Sequence, residues 1–201
     1  LTGESEAVDT RMLSRSVADG GLAYVWAAGD LTAAEQYLQY LDDLGGPSNY
    51  LVDVVAEDDA TLESLLGEAG IIIIGDGPQT DRLYNGLSGA GIKAIAAAFQ
   101  RGALVMGIGT GAEVFGQWRL RPASQGARPG FDWLTSAAIL TGRLDNAERR
   151  TLKGLLRAQP LAYGLGIGAG SALALGPEGQ VESWGMSQIA VSLGQGYSAA
   201  V

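Results

Sequence analysis

The stretch Ile71-Ile72-Ile73-Ile74-Gly75-Asp76-Gly77-Pro78-Gln79-Thr80 (IIIIGDGPQT) decides the fold. Four β-branched residues in a row, with no polar alternation, suit a strand buried on both faces. The Gly/Pro turn after them leads into Thr80 to Leu87, which reads as a helix. A strand covered on both faces needs helices on either side of its sheet, so the same strand-turn-helix unit should recur along the chain.

It does recur. Short apolar runs at Leu22 to Ala27, Tyr50 to Val55, Ala103 to Met106 and Ala137 to Leu140 read as further strands. Helical stretches lie between them at Thr32 to Leu44, Ala60 to Glu68, Ile92 to Gln100 and Asn146 to Ala158. Thr32 with Glu35, and Asp145 with Glu148, have the spacing of a helix-capping pair. Near the end, Ala172 to Leu175 and Gln180 to Trp184 flank a Pro/Gly turn and predict an antiparallel hairpin finishing one sheet edge. The expected class is therefore α/β: a three-layer sandwich with a mostly parallel central sheet and a C-terminal antiparallel hairpin. The length of 201 residues fits a single domain, 1–201. The polar segment Leu120 to Gly130 reads as a surface loop rather than a linker.

Composition narrows the chemistry. The formal net charge of −9 disfavours nucleic acid and anionic membrane, which select for basic stripes. With no cysteine, disulfides, thiol nucleophiles and thiolate metal sites are excluded. The histidine count is zero, which removes the commonest general base and the commonest metal ligand together. No apolar run approaches the ~20 residues of a membrane span, so a cytoplasmic location is expected. The acidic groups Asp42-Asp43 and Glu57-Asp58-Asp59 suit helix ends better than a cation site. Neither a cofactor nor a metal is expected.

The second informative stretch is Met106 to Gly116 (MGIGTGAEVFG), which follows a strand and leads into a helical pattern. Gly107-Ile108-Gly109-Thr110-Gly111-Ala112 satisfies the G-x-G-x-x-G/A dinucleotide fingerprint, but several strands precede it, whereas that fingerprint opens the first βαβ unit. A nucleophile elbow, G-x-Nuc-x-G, places the nucleophile on Gly109, which has no side chain. A tight packing turn without a site needs only close backbone approach. Gly164, Gly166, Gly168 and Gly170 read as strand and bulge positions, since no helix signal follows them. Core packing is the reading for Trp118, Trp133 and Trp184.

In order along the chain, these motifs resemble the cyanophycinase and α-aspartyl dipeptidase group of serine peptidases, which have a class I glutamine amidotransferase-like fold. Residues 1–6 (LTGESE) are similar to that group's opening strand with its glycine-rich turn. IIIIGDGPQTDRLYNGL is similar to its strand followed by G-G-x-Q and an Arg-Leu helix, with one or two extra residues. ALVMGIGTGAEVFG looks like its G-T-S-A-G-A elbow, and GLGIGAGSALAL like its late I-D-E-x-T-A-L strand. By this resemblance the serine falls on Gly109 and the late acid on Ala169, while the Q-H-F segment falls within Thr141 to Asn146, where there is no histidine.

The resemblance implies a serine hydrolase of small acidic peptides, and the departures imply one without its nucleophile or base. The expectation is a catalytically inactive homologue that binds a small amino-acid or peptide ligand at a vestigial elbow. Gly75, Asp76, Gly77, Gln79, Gly109, Thr110 and Gly111 would line that site. Two alternatives stay open. One is an altered hydrolase with Thr110 as nucleophile and a lysine, carboxylate or water as its base; the nearest acid in sequence, Glu113, lies about one helical turn on, a spacing that permits contact. The other is a structural or regulatory subunit acting through its surface, for which a homodimer is plausible.

Overall fold

The four isoleucines of Ile71–Ile74 are wholly buried, as an apolar strand covered on both faces must be. Removing such side chains from water stabilises the fold by roughly 1.5–3 kcal/mol each. The computed structural model describes residues 3–15, 19–120 and 126–197. The chain forms two compact units, one from Asp9 to Ala112 and one from Glu113 onward together with the residues up to Val8.

The Asp9–Ala112 unit alternates strands and helices. After α1 (Gly3–Arg15) come β1 (Leu22–Val25), α2 (Leu31–Asp43), β2 (Asn49–Val52), α3 (Asp59–Gly67), β3 (Ile71–Ile74), α4 (Thr80–Leu87), α5 (Ala90–Gln100), β4 (Leu104–Gly107) and α6 (Thr110–Glu113). Its sheet has the order β2-β1-β3-β4, and every pairing is parallel. The chain steps from β1 to β2 on one side and then returns to β3 on the other. That reversal leaves a crevice beyond the carboxyl ends of β1 and β3, where open α/β sheets place their ligands. Helix α2 turns Ala34, Leu38 and Leu41 inward, and α5 turns in Ala94, Ile95 and Ala98.

The unit from Glu113 onward holds β5 (Gly116–Arg119), β6 (Arg128–Pro129), β7 (Leu134–Gly142), α7 (Asn146–Ala158), β8 (Tyr163–Gly168), β9 (Ser171–Leu175), β10 (Val181–Gly185) and β11 (Ile189–Leu193). Five of these strands form a mixed sheet of order β11-β8-β7-β5-β6, parallel at β5–β7–β8 and antiparallel at both edges. Helix α7 packs Leu152, Leu155 and Leu156 against Ala138, Leu140, Leu144 and Leu161. Its start carries the expected capping box: Asp145 accepts from Ala147 and Glu148 N–H, and the Glu148 side chain accepts from the Asp145 N–H. Gly164 lies beneath that helix, where a Cβ would stand 2.8 Å from Leu152 Cδ1.

The α/β class, the mostly parallel pairing and the C-terminal antiparallel hairpin of β9 and β10 are as expected. Several details differ. Within the stretch likened to an opening strand, the described residues from Gly3 belong to α1, while residues 1–2 lie outside the described range. The helix after the glycine-framed turn is a single turn, because β5 begins three residues after Glu113. The cap of α2 is Asp30, which accepts from Ala33 N–H at 3.1 Å, rather than the Thr32–Glu35 pair. Among the described residues the β9–β10 hairpin pairs only with itself, and the sheet edge belongs to β11. In the segment from Leu120 to Gly130, residues 121–125 lie outside the described range, and Arg128–Pro129 pairs with β5. No helix among the described residues is long and apolar enough to cross a membrane.

Candidate functional site

Three loops leave the carboxyl ends of β1, β3 and β4 and meet in the Asp9–Ala112 unit. The β1 and β3 loops are tied backbone to backbone, with Gln79 N–H donating to the Ala28 carbonyl at 3.0 Å. A Cβ on Gly29 would overlap the Asp76 carbonyl. The β4 loop is pressed equally close: a Cβ on Gly111 would overlap the Ile74 carbonyl, and one on Gly107 would overlap the Ala112 Cα. Close packing therefore explains two of the three alternating glycines.

Gly109 is explained differently. Its φ of +54° lies in the left-handed region that glycine enters at least cost. A Cβ built on it would overlap the carboxylate of Asp76. The Asp76 side chain thus fills the volume that a side chain at position 109 would take. Its Oδ1 accepts from Gly77 N–H at 2.8 Å and from Thr110 N–H at 2.8 Å. The Thr110 hydroxyl lies 3.1 Å from the same oxygen and donates to the Gly77 carbonyl at 2.8 Å. Gly77 N–H also reaches the Thr110 hydroxyl at 3.1 Å. Oδ2 takes part in none of these bonds, and Asp76 is exposed.

The charge of Asp76 is felt nearby. Burial, and then the Asp76 carboxylate, push the Tyr24 hydroxyl up to about 12. That hydroxyl stands where a Cβ on Gly75 would be, which accounts for the glycine. Gln79 is exposed at the start of α4 and makes no capping bond through its side chain. Trp26, which sequence reasoning passed over, meets at this end of the sheet Arg82, which the sequence places at a helix start facing solvent: the Arg82 guanidinium lies 5.9 Å from the centroid of the Trp26 ring. Trp26 directly follows β1, a position whose role can be read only once β1 is known to adjoin the crevice.

The positions expected to carry the base and the late acid lie in the other unit. Thr141, at the end of β7, donates to Glu113 Oε1 through its N–H at 3.1 Å and its hydroxyl at 2.9 Å. Ala169 N–H donates to the Gly142 carbonyl at 2.9 Å, so the two segments do adjoin. Glu113, considered as a base for Thr110, is buried and engaged by Thr141. Thr110 is engaged by Asp76 and Gly77.

No protein-family model and no curated protein matches the sequence. Solved structures do match. One is a crystal structure of a peptidase from an acI-B1 Actinobacterium, with 18% identity and a TM-score of 0.68, aligned over 98% of this chain and 86% of that one. Another is a putative peptidase E protein from Listeria monocytogenes EGD-e, with 12% identity and a TM-score of 0.61, aligned over 92% of each chain. At such identities the likeness establishes the fold: this chain is built as those peptidases are.

Proposed function

We propose that this protein is a catalytically silent relative of serine peptidases that holds a small amino acid or peptide at the elbow without cleaving it. The observation that carries this reading is the exchange at Gly109, where a carboxylate belonging to Asp76 occupies the space of the expected nucleophile. A route through an acyl-enzyme needs an attacking atom and a base to take its proton. Gly109 supplies no atom, and the chain has no histidine. Asp76 Oδ2 and the Gln79 amide would meet the ligand, with Gly75, Gly77, Gly109 and Gly111 letting the backbone come close and Thr110 holding Asp76 in place. A carboxylate there favours the ammonium end of an amino acid over its carboxyl end.

The test pairs binding with turnover. Asp-X dipeptides and β-aspartyl-arginine should raise the melting temperature of the purified protein while remaining intact by mass spectrometry. Turnover that depended on residues of this crevice would overturn the proposal. A second reading, hydrolysis by Thr110, is favoured by its 3.1 Å approach to Asp76 Oδ1. It requires that Thr110→Ala abolish any hydrolysis found. A homodimer belongs to the same proposal on symmetry grounds, and sedimentation at micromolar concentration tests it.

A further inference from the structure

We infer that the two backbone N–H groups meeting at Asp76 Oδ1 form a two-donor anion hole that the chain keeps closed with its own carboxylate. The donors come from different loops, Gly77 after β3 and Thr110 after β4, 33 residues apart in sequence. Both lie 2.8 Å from one oxygen. In acyl-transfer elbows the oxyanion is held by the N–H of the residue after the nucleophile together with an N–H from a neighbouring loop. Thr110 follows Gly109, and Gly77 lies on the neighbouring loop, so the two N–H groups that meet at Oδ1 come from the positions that hold such an oxyanion.

The geometry at Gly109 concerns the same carboxylate. The Asp76 carboxylate overlaps the place of a Cβ at position 109, so a side chain at 109 and the carboxylate at 76 exclude each other. Loss of the side chain and closure of the hole are then one physical exchange. With Asp76 shortened, the hole takes a small planar carboxylate, because two convergent N–H donors suit one carboxylate oxygen. This inference deepens the reading above and rests on the exchange at Gly109, not on the identity of any bound peptide.

A capping role alone would make Asp76 a matter of stability, whereas a closed hole makes it a competitor of external anions. The full chain carrying Asp76→Ala is titrated with sodium formate, against sodium chloride at equal ionic strength, while its backbone amides are followed by NMR. Saturable shifts of the Gly77 and Thr110 amides are expected with formate in the variant and not in the wild type. Equal responses of the two proteins, or none in either, would overturn the inference. Should Asp76→Ala not fold, Asp76→Ser takes its place in the same titration.

A second measurement needs no anion. Gly109→Ser in the wild type should lower Tm by about 5 °C from overpacking, and by clearly less in the Asp76→Ala background. Equal losses in both backgrounds would count decisively against the exchange. Failure of the wild type to bind any peptide would end the ligand reading and leave these results standing. A flat formate titration would end the hole and leave the ligand reading standing.

Discussion

The two units each contain a threonine whose N–H and hydroxyl address a single carboxylate oxygen, and the two pairs differ mainly in their surroundings. In the first, Thr110 meets Asp76 Oδ1 at 2.8 and 3.1 Å, and Asp76 is exposed. In the second, Thr141 meets Glu113 Oε1 at 3.1 and 2.9 Å, and Glu113 is only 8% exposed. Burial changes what the same bonds mean. A buried donor left without its partner forfeits hydration as well as the bond, whereas an exposed one turns to water. The pair on the buried carboxylate therefore contributes more to stability than the pair on the exposed one.

Mutations can break this contrast. The largest effect should come from Glu113→Ala, which strands the half-buried Thr141 donors and should cost about 3 kcal/mol in denaturant unfolding. A cost below about 1 kcal/mol would mean that the two pairs are energetically alike. Next, Thr141→Val should cost about 1.5 kcal/mol and Thr110→Val about 0.5 kcal/mol, since only the first takes a hydroxyl away from a buried carboxylate. The reverse order would show that the elbow, and not the β7 end, carries the structural burden.

A third carboxylate sharpens the comparison. Asp9 is 2% exposed, its Oδ1 accepts from the Tyr37 hydroxyl at 2.7 Å, and its Oδ2 has no hydrogen-bond partner among the described residues. Desolvation raises its pKa above the ordinary carboxylate value, against the lowering effect of the Tyr37 and Tyr40 hydroxyls. A carboxyl that binds its proton more tightly when folded contributes stability that is present below the unfolded pKa and lost as pH rises through the folded one. At pH 7 the ionised form is thus a burden. Asp9→Asn should raise Tm by about 2 °C at pH 7, with the advantage shrinking as pH falls through the carboxylate range. Scanning fluorimetry across that range checks this, and a lower Tm for the variant at pH 7 would contradict the prediction.

Much of the framework was legible in the residues. Ile71–Ile74 reads as a doubly covered strand because no polar residue interrupts it, and it is one. Asp145 and Glu148 announce the start of α7 because a capping box is local chemistry, complete within four residues. Strands β5 and β11 escaped notice, since GQWR and IAVSL are too short to show a period and owe their conformation to partners in β7 and β8. The helix expected after Thr110 is cut to one turn by a strand whose pairing a helical pattern cannot reveal. At the candidate site the glycines of the elbow were legible as close-approach positions. The reason for Gly109 was not, because its neighbour in space, Asp76, lies on a different loop, with two helices and a strand between them in the chain.

What the amino-acid sequence determined by itself is the alternation of strand and helix, the parallel class of the sheet, and the chemistry that a chain without histidine or cysteine must do without. These follow from local patterning and composition, which act over a few residues or over none in particular. Tertiary structure alone decided that Asp76 would turn its carboxylate into the space above Gly109 and draw two backbone N–H groups onto one oxygen. That choice depends on the approach of two loops set by neighbouring parallel strands, and no spacing along the chain encodes a distance across a sheet.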